Sequence, residues 1–402
     1  MKLIGKKILA TTILSITATA VLMACGGGGD TPAAAAPVAQ VAPPPVAVVV
    51  DPVTAASNTV ASNIGASLIA GASSDEEVYN LAADIGDTWQ LVLNNKTNTY
   101  VMRVLNSQFG LTSTTSAGFT RTTVGSITTI SGTTGSALSV QIDTRTKTLV
   151  GNAMVGSKRA TVTGSGYTVA DTKLLVGNYF FLGATRNVSN GQFRDNPVGS
   201  FIVAANGVDI TVCDRGIVVN NACAALPNSG AQVINSKLLK VSRDSVSGVL
   251  MLKDGTRDFG VLHVSAGDRG PVLIIDRFGF NDENVLRAGI IFAGKPTKLV
   301  GTEFNGTFNC SSNGSDSANV VVTGSTYTVK NLQRNTNNAG TLQFNKVVSG
   351  NGLSTIDLDG AVILKNNDEL LSQASLVLPL SSSLAVVSSG DGTLDICRRA
   401  SL

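Results

Sequence analysis

The chain has 402 residues, with 42 glycines, 14% charged and 5% aromatic side chains, and one histidine. Three lysines, Lys2, Lys6 and Lys7, lie at the extreme N-terminus, and the remainder balances 27 basic against 27 acidic residues. That balance excludes an electrostatic footprint for nucleic acid. The lone histidine removes most His-dependent catalysis, and the abundance of Gly, Ser, Thr, Asn and Val predicts short strands and turns rather than long helices.

Residues 1–24 carry the parts of an export signal: a lysine-bearing start, an apolar stretch over Ile8–Val21 and a small residue at the end. The apolar stretch falls short of the ~20 residues a spanning helix needs. It runs into Leu22-Met23-Ala24-Cys25-Gly26, which resembles the lipobox of bacterial lipoproteins. The resemblance implies cleavage after Ala24, a diacylglyceryl thioether on Cys25, acylation of the new amine and a membrane attachment through several acyl chains. Gly26 in place of Asp is similar to lipoproteins sent on to the outer membrane. An ordinary signal peptide would instead leave Cys25 as a free thiol.

Residues 25–74 read as a low-complexity tether. Positions 26–74 hold two charges, Asp30 and Asp51, and six of the eleven prolines. Such a stretch is extended and semi-rigid, and its role is spacing. Within 55–84, Ala, Ser and scattered apolar residues suggest a short helix.

From Trp89 the pattern becomes period two. Trp89, Leu91 and Leu93, the polar turn 94–98, then Tyr100, Met102 and Val104 predict a hairpin with one buried face. A second hairpin is predicted over 249–264, turning at Asp254-Gly255. Further Asx-Gly pairs at 190–191, 206–207, 305–306, 313–314, 351–352 and 359–360 supply turn signals. Short similarities recur: 161–169 with 321–329, 201–215 with 384–399, and Thr-Lys-Leu-like runs ending at Gly151, Gly177 and Gly301. These patterns predict an all-β fold of two or three antiparallel β-barrel or β-sandwich modules after a disordered tether, with modules at 75–172, 173–298 and 299–402.

Four cysteines follow Cys25. In an exported chain they are expected to pair, and the spacing favours Cys213 with Cys223 and Cys310 with Cys397. No CxxC motif and no neighbouring histidine support a metal site, and no cofactor is expected. A Gly-x-Ser-x-Gly elbow is missing, and His263 sits in an apolar strand as a structural residue. Carboxylate chemistry needs no histidine, and Asp276, Asp282 and Glu283 are its candidates. The same stretch offers Phe278 and Phe280, with Asp282 and Glu283, as ligand-facing residues. The sequence therefore predicts a lipid-anchored outer-membrane protein of the cell envelope with a non-enzymatic binding or structural role. Its expected partner is an envelope protein or glycan, not a nucleic acid. The alternatives are an envelope polysaccharide hydrolase using paired carboxylates and a barrel carrying an apolar ligand.

Overall fold

The computed structural model describes residues 50–135, 137–190, 193–226, 236–349, 352–388 and 393–400. The export signal, Cys25 and most of the tether lie outside the described residues. From Glu76 onward the chain forms an all-β body of three barrels, each closed by eight antiparallel strands. The first barrel runs from Glu76 to Ser165 and closes by pairing Glu76–Ala83 with Lys158–Ser165. The middle barrel runs from Gly177 to Gly294, its strand Gly177–Asn187 pairing with Arg287–Gly294. The third runs from Gly306 to Arg399, its first strand Gly306–Ser312 pairing with its last, Leu394–Arg399.

Alternation drives each closure. Trp89, Leu91 and Leu93 on Asp87–Asn94 point the same way as Tyr100 and Met102 on Thr99–Asn106, and all are buried in the first barrel's core. Phe181, Phe201, Leu252, Leu262 and Leu273 fill the middle barrel by the same rule. Small barrels hide their apolar faces by packing them against one another. The Asx-Gly pairs at 206–207, 254–255 and 313–314 join successive strands. Asp359-Gly360 differs: it lies inside the strand Thr355–Asn366, with Gly360 at φ 84° opposite a register shift after Phe344. A bulge uses the same left-handed geometry as a turn, so the dipeptide alone does not separate them.

The tether ends earlier than the sequence suggests. Pro52–Asn63 is a helix, capped by Asp51 accepting from the Thr54 N–H and opened by proline at its first turn. Ala66–Leu68 then pairs with Tyr167–Val169. This segment closes the base of the middle barrel. Ser57 donates to the Ala266 carbonyl at 2.7 Å, and Ile64 is buried beside Val169 and Leu175. Residues 76–83, included in the expected helical stretch, are a strand.

The three barrels share a core. Phe180, Leu182, Ile274, Ile290 and Phe292 on the outer wall of the middle barrel meet Ala82 and Val150 of the first and Leu378, Val386 and Ile396 of the third. Arg287–Gly294 is consequently buried along its whole length. The short sequence similarities do not mark equivalent strands. Residues 161–169 end the first barrel and begin the strand facing Ala66–Leu68, whereas 321–329 form a hairpin within the third. Residues 201–214 join the second and third wall strands of the middle barrel, whereas 384–399 are the last two of the third. Hairpins built from Gly, Thr and Val resemble one another wherever they occur.

Candidate binding cup at the end of the middle barrel

The wall strands of the middle barrel run alternately between a base, closed by the helix segment, and a mouth. At the mouth the inward positions change from apolar to polar. Phe181 is followed on the same face by Thr185 and Asn187, Val212 by Asp214, Ile275 by Arg277, and Ile291 is preceded by Arg287. The result is a cup of about 1020 Å³, lined by these residues with Lys237, Asp254, Phe259, Asp282 and Glu283. Segments 191–192 and 227–235 lie outside the described residues.

The rim is charge-paired. Lys237 Nζ lies 2.7 Å from Asp254 and 3.0 Å from Asp282, and Arg257 Nη2 lies 3.3 and 2.7 Å from the same two carboxylates. Hydrogen bonds from Lys237 and Arg257 hold the Asp282 carboxyl below its ordinary range. The hairpin carrying Asp282 is fixed by its own polar groups. Asn281 Oδ1 accepts from the Val285 N–H at 2.8 Å, and the Arg287 N–H donates to the Gly279 carbonyl at 2.9 Å. Gly279 has φ 89°, and a Cβ there would lie 2.2 Å from the Asp258 carbonyl oxygen, so this hairpin requires glycine.

Two arginines stand on the inner wall. Arg277 stacks on Phe259, its guanidinium carbon 4.1 Å from the ring centroid, and its Nη1 donates to the carbonyls of Phe259 (3.0 Å) and Phe278. Arg287 donates to Thr185 Oγ1 at 2.6 Å and Asn187 Oδ1 at 3.3 Å. Both are buried, with 6% and 8% of their surface exposed. Neither forms an ion pair with a described carboxylate. Burial, then the neighbouring Arg287, brings Arg277 down to about 10, which leaves it charged at neutral pH.

The candidates named from sequence part company here. Asp282 and Glu283 line the cup. Phe278 is 5% exposed and packs outside the barrel against Val249 and Val261, so it is a packing residue rather than a ligand-facing one. Phe280 is 48% exposed and does not contribute to the cup lining. Asp276 points to the opposite face from Arg277, into the seam with the first barrel, where Thr88 Oγ1 donates to its Oδ2 and its Oδ1 has no partner. Burial pushes its carboxyl well above the ordinary range. His263, also outward-facing and 5% exposed, is held down to about 4 by burial, with Nε2 unpartnered. Among the described residues no cluster of three or more His, Cys, Asp or Glu side chains assembles.

Sequence reading missed Arg277 and Arg287. The available signal was register: each continues the inward alternation of an apolar strand, on either side of one hairpin. The cysteines form two disulfides, Cys213–Cys223 and Cys310–Cys397. The first pins the hairpin Gly216–Val219/Ala222–Ala225 to the strand Asp209–Asp214 beside the cup, and the second ties the first and last strands of the third barrel. The third barrel keeps about 60 Å³ of apolar space among Phe304, Phe308, Leu342 and Phe344. That is room for a few methyl groups, well below the ~300 Å³ at which ligand pockets begin.

These features define a class: a three-barrel all-β protein whose middle barrel is stoppered at one end and carries a charged cup at the other. No protein-family model and no curated protein matches the chain. A solved structure of a mutant of the vaccine antigen Transferrin Binding Protein B from Haemophilus parasuis aligns over 83% of this chain and 77% of its own, at 6% identity and a TM-score of 0.19. A score that low carries no argument about fold or function.

Proposed function

We propose that the chain is a non-enzymatic binding protein of the cell envelope, anchored to the outer membrane through Cys25, and that the cup of the middle barrel holds its partner. The observation that supports this most is the contrast between the filled interiors of the barrels and the roughly 1020 Å³ cup walled by ordered charged side chains. A concave site with a few placed polar groups above an apolar floor is the usual form of a binding pocket.

Hydrolysis by paired carboxylates is disfavoured by the state of the pair. Glycosidases need one carboxyl that keeps its proton until it is delivered to the leaving group. Asp254 and Asp282 meet at the rim, but both face Lys237 and Arg257, and Asp282 is held low. Asp276 is raised, yet it is turned into the seam away from the cup.

The test uses the full chain in intact envelopes. A photo-reactive residue at Glu283, on the cup, should give a discrete cross-linked adduct, and the same residue at exposed Lys96 on the first barrel should not. Cys25→Ser should wash out of membranes in carbonate. Equal adducts at both positions, or release of reducing sugar ends from envelope polysaccharide, would overturn the binding reading. Retention of Cys25→Ser in washed membranes would overturn the anchor.

A further inference from the structure

We propose that the inner wall of the cup is an oxyanion site, with Arg277 and Arg287 receiving a carboxylate, sulfate or phosphate group of the bound ligand. This rests on the reading of the cup as a binding site and specifies what it binds.

Unused donors are the first ground. A guanidinium has five N–H groups, and the edge formed by Nε and one Nη matches the two oxygens of an oxyanion. All hydrogen bonds of Arg277 leave from Nη1, to the carbonyls of Phe259, Phe278 and Gly279. Its Nε and Nη2 have no hydrogen-bond partner among the described residues, and neither is sealed from solvent. Stacking on Phe259 and the three carbonyls fix the plane of the group, so this free edge is held in place before any ligand arrives. The bonds of Arg287 go to a hydroxyl and an amide oxygen, which orient a cation without neutralising it.

The second ground is charge. Two buried guanidinium groups that repel one another are expensive in a folded chain unless something compensates them. Four carboxylates line the cup: Asp254 and Asp282 are shared between Lys237 and Arg257 at the rim, and neither Asp214 nor Glu283 forms an ion pair with Arg277 or Arg287. An anion entering the cup would give these two cations the direct ion-pair partner that none of the described carboxylates provides. The paired rim adds little net field, so selection falls on the inner pair. Arginine suits the role better than lysine because its planar fork recognises two oxygens at once.

The test measures thermal stability and calorimetric binding on the exported part of the chain carrying Cys25→Ser, with inorganic phosphate, pyrophosphate and citrate as probes. Sodium chloride at equal ionic strength is the reference. These anions should raise Tm beyond the chloride reference, and Arg287→Gln should cut their affinity at least tenfold. Without anion, Arg287→Gln should leave Tm unchanged or raised, because it removes one of two repelling buried charges. Arg277→Lys keeps the charge but loses the fork, and should retain part of the anion response. Lys237→Gln at the rim should retain most of it. A response no larger than that to chloride, or one unaffected by Arg287→Gln, would overturn the proposal. So would an Arg287→Gln chain that unfolds at much lower temperature in the absence of anion, since the arginine would then be holding the fold. If the probes fail while Glu283 still cross-links a partner, the cup binds by other chemistry. If cross-linking also fails, the binding reading falls with it. A wild-type response to the small probes at micromolar concentrations points to a free small anion as ligand. A response only at millimolar concentrations, with cross-linking retained, points to an acidic group carried by a larger partner.

Discussion

Asp276 and His263 lie on the outward faces of neighbouring strands of the middle barrel, and both are sealed from water. Their effects on stability oppose each other. Burial depresses His263 to about 4, so between that pH and its unfolded value near 6.5 the unfolded chain binds more protons and stability rises with pH. Burial raises Asp276, so above about 3.8 the folded chain holds a proton the unfolded chain releases, and stability falls as pH rises towards its folded value. Each slope is at most about 1.4 kcal/mol per pH unit. Asp84, raised to about 6 by burial, acts in the same direction as Asp276. Asp276→Asn keeps a partner for Thr88 and removes one falling slope. Its Tm should exceed the wild type at pH 7 by a few degrees and should climb more steeply between pH 4.5 and 6.5. Parallel melting profiles for the two proteins would refute this account. The sequence offered Asp276 as a carboxylate candidate, and it could not show which face of the strand Gly270–Arg277 the carboxyl takes. One residue of register separates the seam from the cup, and Asp276 and Arg277 fall on opposite sides of it.

At the level of elements, hairpins were the legible unit. Trp89–Val104 and Val249–Val264 fold as their alternation and turn residues indicate. A short helix was expected within 55–84, but the bounds Pro52–Asn63 were not legible, because the sequence is rich in Ala, Ser and Thr with little apolar periodicity, and its stability comes from docking under the barrel. The disulfides act on different elements. Closing the 87-residue separation between Cys310 and Cys397 should contribute about 4–5 kcal/mol in the chain-entropy account, and the 10-residue link of Cys213 to Cys223 about 3 kcal/mol. The short link pins a peripheral hairpin, so its loss should be largely local. Replacing Cys213 and Cys223 by Ala should speed amide exchange over Gly216–Ala225 with a small change in Tm. Replacing Cys310 and Cys397 should lower Tm by several degrees. A reversed order of the two effects would show that the hairpin belongs to the cooperative core.

For the whole molecule, the shared core matters more than the number of barrels. Phe292, fully buried, faces outward from the middle barrel into the cluster formed with Leu378, Val386 and Ile396 of the third. Truncating such a residue costs about 3–5 kcal/mol through lost burial and the cavity left behind. Phe292→Ala should therefore lower the stability of the middle and third barrels together, seen as coincident transitions in denaturant by probes placed in each. If the two barrels unfold at separate midpoints already in the wild type, the seam is not the coupling element. Period-two patterning sufficed to predict an all-β fold of antiparallel modules, with barrel and sandwich both left open. It was silent on the seam, because Arg287–Gly294 is apolar on both faces, which reads equally well as a strand between two sheets or inside one.

The stoppered base has a mechanical meaning. The chain joins the body at Asp51, passes through a helix of twelve residues and a strand of three, and only then enters barrel wall; the cup lies at the far end of the middle barrel. Tension applied between the mouth of the middle barrel and residue 50 meets the helix and then Ala66–Leu68, with its short pairing to Tyr167–Val169, before any long strand. Pulling on residue 50 should therefore undock the helix and part this three-residue pairing before any eight-stranded ring opens.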